Sequence, residues 1–327
     1  MLSFIILAVA PNLGTIYAGR IITGVATGII FVINLVYIGE MASTRIRGTL
    51  LTLTGLSITI GVLFAYSVGP FVSYSVINWI GVAICGIYLV LVFFFVTETA
   101  VYQVMKDRRD EAMANLTSLG RQDDIDEIVA QANEKPKSNM AQLTEMYTVR
   151  SNRKAAFIII SLNIMQQTSG VIAVMSFVTI IFDATGSNME SHISTIIIGL
   201  TQVFAAIFAP ILVERTGRRI LLLVSTAGCS LSLAALGVYF HLDMTDHPAA
   251  KNLQWLALVS IMLFFISYFS GFGIIPNTFI GEMFTDTCRG FGGTFTVTIG
   301  WVFGFGVSTA FGYMLVPLGP AVTFWIF

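Results

Sequence analysis

Apolar residues occur along this chain in runs of about 20, separated by short polar stretches, the pattern that helices need to cross roughly 30 Å of hydrocarbon. The runs predict eight complete spans, near 14–39, 49–69, 78–96, 156–182, 194–213, 220–240, 254–280 and 291–316. Apolar stretches at 1–10 and 319–327 are too short to cross and read as pieces of further spans, as if the chain were cut at both ends. The first stretch lacks the basic flank and cleavage region of a signal peptide. Between the third and fourth spans, Ala112, Leu116, Leu119, Ile125, Ile128 and Val129 recur at helical spacing within a charged stretch. That spacing predicts short surface helices.

Composition agrees with the pattern. Hydrophobic residues make up 56% of the chain and charged ones 11%, whereas soluble domains carry about 25% charged residues. The 327 residues therefore count spans, giving an all-α, polytopic membrane helical bundle. A net charge of -1 offers no electrostatic footprint for nucleic acid, which is excluded as a partner; the lipid bilayer is the expected surrounding. Cys85, Cys229 and Cys288 lie too far apart for a disulfide framework, and His192, His241 and His247 fall in predicted outer loops without an acid or cysteine at ligand spacing. No metal, cofactor or catalytic group is expected, and a membrane-embedded enzyme would need a cluster of acids or histidines at one depth.

Charge fixes the orientation. Assigning loops alternately to two sides puts all of the 17 Lys and Arg residues except Arg20 and Lys251 on one side, which the positive-inside rule makes cytoplasmic. The sequon Asn115-Leu116-Thr117 is then cytosolic and expected to be unglycosylated.

A short motif repeats. Gly39-Glu40-Met41 followed by Arg47-Gly48 recurs as Gly281-Glu282-Met283 followed by Arg289-Gly290, six spans later and on the same face. An even separation is the mark of a parallel duplication of six-helix halves. The expected organisation is an incomplete first half at 1–97, a cytoplasmic linker with short helices at 98–154, and a second half at 155–327 that lacks most of its last helix.

Several ordered motifs carry a resemblance. Arg20 with Gly24 and Gly28, then Tyr37, Glu40, Arg47 and Gly48; Thr97-Glu98-Thr99 with Arg109, Glu111 and Ala112; Gln166-Gln167 with Ser169-Gly170; and Glu214-Arg215 with Gly217-Arg218-Arg219 all resemble the sugar porter family of the major facilitator superfamily. Within it, the chain is similar to the facilitated trehalose and hexose transporters of insects. The resemblance implies a multi-pass protein of the plasma membrane that moves a small-molecule sugar by alternating access, with Gln166, Gln167, Gln202, Trp301 and Asn277 at substrate positions. It also implies a cytoplasmic gate of Glu40, Arg47, Glu98, Glu214, Arg218, Arg219, Glu282 and Arg289, whose ion pairs would bias the resting state.

Physical chemistry supports part of that set. A sugar is a ring of hydroxyls, which neutral amides in a mostly apolar pocket can satisfy, and each buried amide in a span costs energy until some partner meets it. An interhelical hydrogen bond meets that need as well as a ligand does. Other positions depart from the family pattern: Ile172 and Gly300 stand where Asn is usual, Gly55 where Gln is usual, Phe269 where an acid is usual, and Asn277 where Trp is usual. Each lost hydroxyl partner removes about 0.5–1.5 kcal/mol, so ordinary hexoses should bind poorly. No acidic residue lies in mid-span, which points to facilitative rather than proton-driven transport. The alternative is a non-transporting sugar sensor or a degenerate transporter copy.

Overall fold

Without water to satisfy backbone groups in hydrocarbon, the apolar runs must close their own hydrogen bonds, and in the computed structural model they do so as helices. The structure describes residues 1–121, 124–126, 128–129, 139–184 and 190–327; Lys135 and Lys137, counted above among the cytoplasmic basic residues, lie outside them. Helix α1 is Leu2–Ala8, α2 Leu13–Met41, α3 Thr44–Val68, α4 Tyr74–Phe95, α5 Ala100–Met105, α6 Arg109–Ser118 and α7 Asn139–Thr148. Then come α8 Arg150–Thr168, α9 Val171–Ala184, α10 Ser191–Thr216, α11 Arg218–Met244, α12 Ala249–Asn252, α13 Gln254–Ser267, a π turn Tyr268–Phe272, α14 Ile275–Met283, α15 Asp286–Met314 and α16 Gly319–Ile326.

Eight helical segments among the described residues are long and apolar enough to span a membrane, and they coincide with the eight predicted runs. Two of those runs are interrupted: the fourth between α8 and α9, the seventh at the π turn. His192 and His241, expected in loops, lie within α10 and α11, because both helices continue past the apolar run that announces them. Local capping explains several starts. Asn12 Oδ1 accepts the Thr15 N–H at 2.9 Å below α2, and Thr99 Oγ1 accepts the Tyr102 N–H at 3.3 Å below α5.

The chain forms two compact units, one of residues 1–58 and 67–136, the other of 59–66 and 137–327. In the first unit, Gly19 is where α2 approaches α1: a Cβ there would stand 2.7 Å from Leu7 Cδ2. Gly24 and Gly28, one turn apart on α2, form a small-residue face of the kind that packs against another helix, yet they meet nothing within 4 Å among the described residues. Phe93, Phe94 and Phe95 are 82%, 72% and 78% exposed, as side chains that face lipid are. The expected linker helices are present, and Ala112, Leu116, Ile125 and Ile128 bury themselves with Ala100 and Val101, while Leu119 stays exposed. Asn115 Nδ2 donates to the Glu98 carbonyl at 2.7 Å, and Arg121 Nη1 to the Glu40 carbonyl at 2.7 Å, so the linker grips the C-terminal end of α2.

In the second unit, a core of Val174, Ile198, Leu236, Tyr239, Phe264 and Phe311 joins α9, α10, α11, α13 and α15. Lipid tails are as apolar as these side chains, so close packing rather than water expulsion holds them together. Small residues permit the approach: a Cβ at Gly271 would lie 2.9 Å from the Leu221 carbonyl oxygen of α11. A separate cluster of Met146, Ala155, Ile159, Phe284 and Cys288 seats α7 against α8 and α15.

Candidate functional site

Gln166 and Gln167 occupy the last turn of α8. The helix stops because Gly170 takes φ +71°, a left-handed conformation open to glycine at little cost, and Ser169 Oγ donates to the freed Gln166 carbonyl at 2.6 Å. Consecutive helical residues point about 100° apart, so the two amides reach different neighbours. Gln166 Nε2 donates to the carbonyls of Phe272 and Gly273 at 2.9 and 3.2 Å, in the interruption between α13 and α14. Gln167 turns toward α15, where a Cβ at Gly304 would stand 2.8 Å from its Oε1.

Gln202 lies in the middle of α10 and is 0% exposed. Among the described residues, neither its Oε1 nor its Nε2 has a hydrogen-bond partner, and Gln167 Oε1 is likewise buried without one. Each such atom costs about 1–3 kcal/mol relative to a satisfied one. Three orphaned amide atoms in one unit are unmet hydrogen-bonding capacity of the kind hydroxyls fill.

The remaining expected substrate residues differ. Trp301 is 62% exposed on α15, one turn before Gly304, and Asn277 is exposed on α14. Three of the positions that depart from the family pattern, Gly300, Ile172 and Phe269, are filled by packing. Asn163 Oδ1 would stand 3.2 Å from a Cβ at Gly300, while its Nδ2 donates to the Ile159 carbonyl at 3.0 Å. Ile172 lines the same Gly304 notch as Gln167, and the Phe269 ring stacks 6.4 Å from Phe265.

Among the gate residues, Glu40 is half-buried at the end of α2, Glu98 is exposed after α4, and Arg218 and Arg219 are exposed on the first turn of α11. The side chains of Arg47, Glu214, Glu282 and Arg289 lie outside the described part of the structure. Sequence reading missed Asn152. It is fully buried, and its Nδ2 donates to Thr285 Oγ1 at 3.0 Å while its Oδ1 accepts the Thr285 N–H at 3.2 Å, clasping α8 to the start of α15 inside the second copy of the repeat. Asn152 sits among Arg150, Arg153 and Lys154, where one more polar residue carries no signal.

Apolar spans, two interrupted helices and buried neutral amides define a polytopic helical membrane protein. The xylose transporter XylE from E. coli in its inward-open conformation matches with TM-score 0.76 over 99% of this chain and 74% of that one, at 19% identity. The proton:xylose symporter XylE bound to 6-bromo-6-deoxy-D-glucose matches with TM-score 0.74 over 99% and 75%, at 20% identity.

The model of the family described as Sugar (and other) transporter matches residues 1–327, and the chain belongs to that family, one of transporters and not of enzymes. It is 31% identical to the Facilitated trehalose transporter Tret1-2 homolog of Drosophila sechellia, spanning all of this chain and 68% of that protein. It is 30% identical to the Facilitated trehalose transporter Tret1 of Drosophila erecta, of which it spans only 39%. The protein is thus a multi-pass membrane protein.

Proposed function

We propose that this chain belongs to a facilitative carrier of trehalose or a hexose, working by alternating access in the plasma membrane. The observation that carries the reading is the set of buried, unpartnered amide atoms of Gln167 and Gln202, which sugar hydroxyls would satisfy. Trp301 and Asn277 supply further contacts at the exposed side, and Gln166 adjoins Gln167. Glu40, Arg47, Glu98, Glu214, Arg218, Arg219, Glu282 and Arg289 form the inner gate. Similarity to facilitated trehalose transporters supports the substrate class.

Gln202→Leu separates this reading from a structural one. Removing an unsatisfied buried amide should leave the full-length protein as stable or more stable, yet weaken sugar binding by roughly tenfold, the effect of one or two lost hydrogen bonds to a ligand. Thermal melts with and without trehalose or hexose, and uptake into proteoliposomes, read both. A variant that melts lower and binds sugar as tightly as wild type sinks the assignment. Uptake of labelled sugar that needs an imposed proton gradient overturns the facilitative mechanism. Filled positions such as Gly300 and Ile172 favour the second reading, a sugar sensor, which predicts binding without flux.

A further inference from the structure

Helix α8 is two-faced from its first turn. Asn152, Ala155 and Ile159 are buried against the rest of their unit, whereas Arg150, Arg153, Lys154, Phe157 and Ile158 are exposed. The exposed set recurs at i, i+3, i+4, i+7 and i+8, so it forms one stripe along the helix. Three cations come first, at the start of the span Arg150–Asp183, and two apolar side chains follow about one turn, roughly 5 Å, further in.

The cations are badly placed for the helix alone. An N-terminus carries the positive end of the macrodipole and favours anions, and like charges three and four residues apart repel. The first turn of α8 holds no acidic residue, and among the described residues none of the three cations makes an ion pair or a side-chain hydrogen bond. Arg153, Lys154, Phe157 and Ile158 line a cavity of about 420 Å³, within the roughly 300–1,000 Å³ usual for small-molecule sites. Phe157 is 74% exposed there. A soluble anion would meet the cations and leave the apolar wall unused; a phosphate that carries acyl chains meets both.

We propose that this stripe of α8 binds an anionic glycerophospholipid, its phosphate held by Arg150, Arg153 and Lys154 and its acyl chains laid over Phe157 and Ile158. The positive-inside rule assigns this end of the span to the cytoplasmic leaflet, where anionic lipids are held. Each cation at such a surface is worth about fivefold in affinity. The bound lipid answers the charge at the start of α8 and steadies its first turns. The site is separate from the buried amides, and the proposal does not depend on the sugar reading.

Full-length protein in detergent micelles, titrated with dioleoylphosphatidylserine or dioleoylphosphatidylcholine and read by native mass spectrometry, tests it. Phosphatidylserine should bind about tenfold or more tightly than phosphatidylcholine, and Arg153→Gln with Lys154→Gln should remove most of that preference. Lys106→Gln with Arg109→Gln takes the same charge from the linker and should change binding by less than about twofold. Hydrogen exchange in nanodiscs needs no substitution: replacing about a fifth of the phosphatidylcholine by phosphatidylserine should slow exchange across residues 150–158. Equal binding of the two lipids, an equal loss in the linker variant, or displacement of the lipid by inorganic phosphate at comparable concentration overturns the proposal. So does exchange that ignores lipid composition, the result expected if another segment of the full-length chain covers Phe157.

Discussion

A buried amide in a membrane helix has two fates, and the neighbouring Gln166 and Gln167 show both. The first donates to backbone carbonyls at the α13–α14 interruption, one of them four residues before a proline; the second keeps an oxygen free, among the described residues, in a glycine notch. Sequence placed both on one short motif but could not divide them, because the division depends on which helix faces each side. Asn152 was invisible for the opposite reason: its surroundings are charged, and only burial reveals it. Replacing Asn152 with Ala strands the Thr285 N–H and is expected to cost about 1–3 kcal/mol. A fall in melting temperature of the purified protein checks this, and an unchanged transition would mean that the clasp holds nothing.

Among elements, hydropathy reported the number and rough limits of the spans; Gly271, Gly273 and Pro276 mark the interruption of the seventh in the sequence, while that of the fourth was missed. The α8–α9 break falls inside a run apolar enough to read as one helix, and a left-handed glycine leaves no mark on hydropathy. Gly170→Ala should therefore destabilise by about 1–2 kcal/mol through left-handed strain, added to contact with Phe327, whose Cγ would stand 3.4 Å from the new Cβ. Thermal melting of the variant measures it; a loss no greater than for alanine at a right-handed glycine such as Gly86 would show that the break tolerates a side chain. The repeat gained meaning at this scale too. Each copy is held by a polar side chain from elsewhere in its own unit: Arg121 grips the Glu40 carbonyl, and Asn152 grips Thr285.

For the whole molecule, the proposed gate makes a further prediction. Ion pairs made in only one state shift the balance between states by their differential energy alone. Reversing the charge in Glu282→Arg should shift the population toward the outward-closed, inward-open form and change exchange rate, with sugar affinity altered only through that population. Spin-label distances across the cytoplasmic ends, compared with wild type, read the shift; identical distance distributions and rates would remove Glu282 from the gate.

What the sequence by itself determined was the solvent, the number of spans and the family, because each is written in composition, periodicity and short motifs that need no partner to be read. The tertiary structure alone decided which amides are satisfied and which are left open, where the fourth span breaks, and which glycines meet a neighbour. The fate of the amides rests on contacts between residues more than 100 positions apart, such as Gln166 with Phe272, and no local pattern encodes it.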